Sequence, residues 1–175
     1  YKRHPVDELT ATPILVDYFK KKKMNNFVIV ATDVGVSKKA RDFAARLSSP
    51  LAIIEKRRSD NSGQVELLNV IGDVNGKTAV IFDDEIDTAG SLIQGIAALS
   101  TAGVTDVYSC ATHGIFSGNA IERLGSIDIL KEVVVTDSVN SSNGNAKIKH
   151  LSTSSLMAEA ISRIQTGRSV GELFN

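Results

Sequence analysis

The chain has 175 residues, 42% hydrophobic and 23% charged, an ordinary globular composition with enough length to bury a core. Twenty Lys plus Arg balance twenty Asp plus Glu, which removes any general electrostatic attraction to nucleic acid or to a membrane surface. No run approaches the ~18 apolar residues of a membrane span, no signal-type segment opens the chain, and the one cysteine, Cys110, forbids an internal disulfide and fits a reducing cytoplasmic setting.

The first residues, Tyr1-Lys-Arg-His-Pro-Val-Asp7, carry no obvious beginning of a core, and the expectation is that a segment precedes them. Thr10 and Pro13 mark a helix start, with Ala11, Ile14, Leu15 and Tyr18 as its apolar stripe. Lys20 to Lys23 close it, where positive charge complements the helix dipole. Phe27 to Thr32 reads as a strand, followed by a turn and a helix with Ala40, Phe43, Ala44 and Leu47 on one face. Leu51 to Glu55 is a second strand. Arg57 to Glu66 is polar, contains Ser59-Asp-Asn-Ser-Gly63, and is expected to be a mobile loop. Asp73-Val-Asn-Gly76 reads as a turn before a strand at Ala79 to Phe82. A helix begins near Ser91 and ends at Gly103.

Asp106 to Thr112 and Glu132 to Thr136 are further expected strands, with a helix at Asn119 to Leu124 between them. Cys110 sits in the first of these strands and reads as a small core residue. Ser138 to Asn145 reads as a flexible connection, and Lys147 to Leu151 as the last strand. Met157, Ala160, Ile161 and Ile164 mark a final helix that Gly167 closes. Strands alternating with helices predict an α/β fold, a mainly parallel twisted sheet with helices on both faces, in one domain spanning residues 1–175.

Three segments carry chemistry. In Ala79 to Leu92, four apolar residues deliver Asp83 and Asp84 to a strand's carboxyl end, where open α/β sheets bind ligands. The small, hydroxyl-bearing Asp87-Thr88-Ala89-Gly90-Ser91 then leads into a helix bearing Leu92, Ile96 and Leu99. Such a turn aims backbone N–H groups at a phosphate, and the carboxylates beside it suit sugar hydroxyls or a magnesium ion. A phosphorylated sugar fits both halves. Thr32-Asp33-Val34-Gly35-Val36-Ser37-Lys38-Lys39 repeats the strand, turn and helix arrangement. There Asp33 could hold magnesium and Lys38 or Lys39 could neutralise phosphate oxygens. The third segment, Glu55-Lys56-Arg57-Arg58, is either a solvated charge run or a cationic flap that stabilises charge on a transferring phosphoryl group.

The Asp83 to Ser91 segment resembles the phosphoribosyl-pyrophosphate (PRPP) loop of type I phosphoribosyltransferases, with Glu85 standing where the common pattern is apolar. The three segments in this order resemble the ribose-phosphate pyrophosphokinase family. So do Pro50 to Arg58, Ile71 to Lys77, Ala111 to Gly118 and Ser169 to Phe174. That resemblance implies transfer of pyrophosphate from ATP to ribose 5-phosphate, giving PRPP and AMP. It implies Lys56 and Arg58 as catalytic, Asp33 on magnesium within a pyrophosphate loop of Asp33, Val34, Gly35, Val36, Ser37 and Lys38, and Asp83 and Asp84 on the ribose. It places the 5-phosphate at Asp87 to Ser91. Val36 occupies the position of a second glycine in the family's pyrophosphate loop.

Asp7, Ser169, Val170 and Phe174 match positions used there for allosteric ligands. His113 is open to two readings, a nucleotide contact or a structural histidine. The resemblance also implies a homo-oligomer and a preceding domain of similar fold, so that this chain is the carboxyl-terminal half of a two-domain enzyme. Two rivals share these residues: a phosphoribosyltransferase that consumes PRPP, and a non-catalytic regulatory relative of the synthase.

Overall fold

The computed structural model describes residues 6–33, 35–58, 66–141 and 145–174; for 56–58 and 66–67 the description is of the main chain only. Seven strands form one sheet in the order β3-β2-β1-β4-β5-β6-β7, where β1 is Phe27–Ala31, β2 Leu51–Arg58, β3 Glu66–Ile71, β4 Thr78–Ile86, β5 Asp106–Gly114, β6 Leu130–Thr136 and β7 Ile148–Leu151. Every neighbouring pair is parallel except β2 with β3, which is antiparallel. The central strands are apolar on both sides, as a sheet covered on both faces requires: Val28 to Ala31 and Ala79 to Phe82 are all buried.

Two separate cores show which helix covers which face. Leu15 and Phe19 of α1 (Thr12–Lys22) and Ala40 and Phe43 of α2 (Ser37–Arg46) pack on Ile29, Ala31, Val80, Phe82 and Cys110. Leu92, Ile96 and Leu99 of α3 (Gly90–Thr101) and Leu124 of α4 (Ala120–Gly125) pack on Val28, Val30, Ala79, Ile81 and Ala111. Odd and even residues of one strand thus serve opposite cores, the period-2 alternation of an extended chain. Phe43 lies at the centre of the first core, its ring 4.8 Å from that of Phe82 and 6.0 Å from that of Phe19.

A polar tie anchors α1 across the sheet. The Tyr18 hydroxyl donates to Glu132 of β6 at 2.8 Å, Lys22 Nζ pairs with the same carboxylate at 2.8 Å, and Lys22 lies over the Tyr108 ring. Burial first, then the Glu132 carboxylate, push the Tyr18 hydroxyl well above its ordinary range.

Two features differ from the sequence expectation. β2 continues beyond Glu55 through Arg58, so the cationic residues stand on a strand and not in a loop. The rest of the expected mobile loop, 59–65, lies outside the described residues. Its return limb, β3, has no counterpart among the predicted elements. Gly72 ends β3 at φ 121°, a backbone that favours glycine, and a Cβ there would lie 2.9 Å from Ala52 Cβ. The final helix, α5 (Ser154–Thr166), forms where Met157 to Ile164 predicts it and ends at Gly167 in the left-handed region. Of its four marker residues only Ala160 is buried; Met157, Ile161 and Ile164 face solvent. The expected connection 138–145 is described only in part, since 142–144 lie outside.

Candidate functional site

The site begins with strand order. β1 has β2 on one side and β4 on the other, so the chain's direction of winding reverses between β1 and β4, the position where open α/β sheets form a ligand crevice. β1 and β4 run parallel in the register Ala31 opposite Phe82. One residue further along, Thr32 and Asp83 are neighbours, and the Thr32 hydroxyl donates to Asp83 Oδ2 at 2.9 Å. The two turns singled out in the sequence therefore leave one rim of the sheet side by side.

Alternation then divides the acidic pair. Asp83 continues the series of Ala79 and Ile81 and lines a cup of about 240 Å³ with Glu85, Asp87, Thr88, Gly90 and Ser91. The volume suits a phosphate with part of a sugar. Ala89 at φ 61° turns the backbone into α3, whose free N-terminal amides open on this side. Asp84 continues the series of Val80 and Phe82 and lines a larger cleft of about 700 Å³ on the α1 and α2 face. Lys39 Nζ bridges both Asp84 oxygens, at 2.8 and 2.9 Å.

Asp83 is half-buried, and its charged form is held by few donors. Oδ1 accepts the Asp84 N–H at 2.8 Å and Oδ2 accepts Thr32. Burial raises its pKa above the usual carboxylate range; those two hydrogen bonds oppose the rise, while the charges of Asp33 and Asp84 add to it. Cys110, fully buried behind this rim, has its thiol pushed far up by burial and then by the Asp83 charge, which makes it inert core material.

In the β1 turn, Asp33 is exposed and its Oδ1 accepts the Val36 N–H at 3.0 Å. Val36 has φ −84° and a buried side chain in the α2 core, so the backbone there makes no demand for glycine. Val34 lies outside the described residues. Ser37 opens α2, and Lys38 and Lys39 line the larger cleft, not the cup. Among the described residues no group of three or more His, Cys, Asp or Glu side chains converges on a metal position. A single exposed carboxylate still suits magnesium, which keeps several waters and takes its other ligands from phosphate oxygens.

The main chains of Lys56 and Arg58 pair with Leu68 and Glu66 across β2 and β3, two strands from the cup; their side chains lie outside the described residues. Phe174 lines the larger cleft together with Glu8, Thr10 and Thr12, and Arg46 donates to its carbonyl at 3.2 Å. Asp7 is exposed, Val170 is buried, and the Ser169 carbonyl accepts Arg163. Those three residues are not among the cleft's lining. His113 is exposed at the same rim and lines the cleft, with Nδ1 2.8 Å from the Ser138 hydroxyl. Sequence reasoning did not single out Thr32 as the partner of Asp83, or Lys39 as the partner of Asp84. Both contacts cross between turns about 50 and 45 residues apart in the chain, and no local pattern announces them.

Rim and sheet define a doubly wound α/β domain of the phosphoribosyltransferase type. Adenine phosphoribosyl transferase from Trypanosoma brucei shares this fold, at a TM-score of 0.55 and 15% identity over 82% of this chain and 63% of that one. Residues 62–175 match the phosphoribosyl synthetase-associated domain. The chain is 48% identical to ribose-phosphate pyrophosphokinase of Caldanaerobacter subterraneus subsp. tengcongensis over 99% of its length and 55% of that protein. It is 45% identical to the Bacillus caldolyticus protein of the same name, over 98% of this chain and 55% of the other. Phosphoribosylpyrophosphate synthetase from Mycobacterium smegmatis superposes with a TM-score of 0.85 at 32% identity, covering 94% of this chain and 54% of that one. This chain belongs to the phosphoribosyl synthetase-associated domain family, and it spans about half the length of the curated relatives it matches.

Proposed function

We propose that this chain is the ribose 5-phosphate and PRPP-binding half, carboxyl-terminal in the whole protein, of a ribose-phosphate diphosphokinase that moves pyrophosphate from ATP to the anomeric hydroxyl of ribose 5-phosphate. The observation that carries this reading is the adjacency of the β1 and β4 turns on one rim, joined through Thr32 and Asp83. A ligand held at the cup by its 5-phosphate then presents its anomeric carbon toward the neighbouring turn.

In this reading, the amides and hydroxyls of Asp87 to Ser91 grip the 5-phosphate, and Asp83 accepts hydrogen bonds from the ribose hydroxyls. Asp84 leaves the same strand end on the other face, paired with Lys39 in the wider cleft, so it does not share the ribose contact expected of it from the sequence. The β1 turn receives the pyrophosphoryl group. Asp33 holds a magnesium ion there, which when bound neutralises phosphoryl oxygens. Lys56 and Arg58, on the strand that leads into the 59–65 segment, stabilise the charge that grows between the β-phosphorus and departing AMP. Positioning and electrostatics suffice, with no covalent intermediate. The larger cleft, with Phe174 at its edge and Asp7, Ser169 and Val170 in the flanking segments, is the place for an allosteric anion. Assembly as a cytoplasmic homo-oligomer accompanies this reading.

Calorimetry of this chain tests the reading directly. Ribose 5-phosphate and PRPP should bind, and ribose without its phosphate should not. In the protein extended by the upstream half, ATP plus ribose 5-phosphate should yield PRPP, and Lys56→Ala should depress turnover far more than ribose 5-phosphate binding. Formation of a nucleotide from PRPP and a nucleobase would instead identify a transferase.

A further inference from the structure

The turn at the end of β1 is assigned above to the pyrophosphoryl group, yet its first residue reaches into the other half of the site. Thr32 is only 6% exposed, and its hydroxyl donates to Asp83 Oδ2 at 2.9 Å. The other carboxylate oxygen accepts the adjacent Asp84 N–H at 2.8 Å. Asp83 is thus fixed from two directions, once by its own strand and once by the neighbouring one.

We infer that Thr32 is a positioning residue for Asp83: its hydroxyl holds that carboxylate in the one rotamer that faces the phosphosugar cup. The inference rests on the proposed function for its consequence in binding, and on the hydrogen bond alone for its consequence in structure. The geometry supports it in three ways. First, the register sets Thr32 beside Asp83 without any loop rearrangement, because Ala31 pairs with Phe82 immediately before. Second, among the described residues Asp84 and Glu85 have no comparable tie to β1; Asp84 is bridged to Lys39 on the opposite face, which leaves Asp83 as the described carboxylate that couples the β1 turn to the cup. Third, threonine's β-branch restricts its own χ1, so the donor is itself held in place.

The hydroxyl is separable from the shape. Thr32→Val keeps size and branching and deletes the donor, leaving Asp83 Oδ2 without its cross-strand partner; Thr32→Ser restores the donor on a smaller side chain. Three-bond couplings of Asp83 in this chain, measured without ligand, should report one χ1 rotamer in the parent and in Thr32→Ser, and rotamer averaging in Thr32→Val. The ribose 5-phosphate Kd should rise about tenfold in Thr32→Val, the worth of one hydrogen bond, and return to within about threefold of the parent in Thr32→Ser. The melting temperature should fall by a few degrees in Thr32→Val, as loss of one hydrogen bond to a half-buried carboxylate requires, and lie near the parent's in Thr32→Ser. Should Thr32→Val fail to fold, Thr32→Ala replaces it in the same comparison.

A single Asp83 rotamer in Thr32→Val overturns the inference. So does a Thr32→Ser protein as impaired as Thr32→Val, since that pattern reports packing and not the hydroxyl. If the parent itself does not bind ribose 5-phosphate, the proposed function fails, and the ligand-free couplings still decide the role of Thr32.

Discussion

Lys39 and Asp84 join the start of α2 to the end of β4 through a bidentate contact in which one ammonium group reaches both carboxylate oxygens. Both side chains are well exposed, at 63% and 49%. Exposed pairs of this kind contribute little to folding because water already solvates each charge. Lys39→Met should therefore change unfolding free energy by less than about 1 kcal/mol. The small difference should vanish in high salt, where exposed charges are screened. Urea titrations at low and high ionic strength check this.

Asp83 presents the opposite case, a charge that the fold tolerates at a cost. Its folded pKa is raised, chiefly by burial. Between the ordinary carboxylate pKa and the raised value, the native state binds more protons than the unfolded chain, so stability falls as pH rises through that window. Asp83→Asn removes the penalty while keeping both partners: Oδ1 accepts the Asp84 N–H and Nδ2 donates to the Thr32 hydroxyl. The variant should be more stable than the parent at neutral pH and should lose the advantage in acid. Its affinity for ribose 5-phosphate should drop about 10- to 100-fold, the worth of hydrogen bonds to a charged acceptor. Denaturation across pH and calorimetry give the two readouts.

Tyr18 tests the tie between α1 and the sheet. Glu132 is 20% exposed and takes both the Tyr18 hydroxyl and Lys22. Tyr18→Phe keeps the ring, including its edge-on contact with Phe19 at 5.5 Å, and deletes only the donor. We expect a loss of about 1–2 kcal/mol, seen as a lower urea midpoint with an unchanged slope. Lys22 still neutralises Glu132, which is why the cost stays moderate.

Much of the fold was legible because its strands are short apolar runs punctuated by turn residues, and its helices carry one apolar face. β3 was not legible. Glu66-Leu-Leu-Asn-Val-Ile71 follows a polar stretch and sits at a sheet edge, where only one neighbour supports it. The helix α5 was legible, but what covers its apolar stripe was not. A 3.6-residue apolar pattern marks a helix, but it does not say whether the chain in hand covers that stripe, and Met157, Ile161 and Ile164 remain open. At the rim, each turn was legible by itself because it is local. The contacts that unite them, Thr32 with Asp83 and Lys39 with Asp84, depend on which strands become neighbours, and that is decided by the whole sheet.

The alternation along β4 has a further implication for how such a rim can be altered. Consecutive carboxylates belong to separate chambers, each backed by its own helix pair and its own aliphatic or aromatic floor. Sequence drift on the α1 and α2 side can therefore reshape what the wider chamber admits while the smaller cup, built from α3 and its preceding turn, keeps its contours. A single peptide bond is the partition between them.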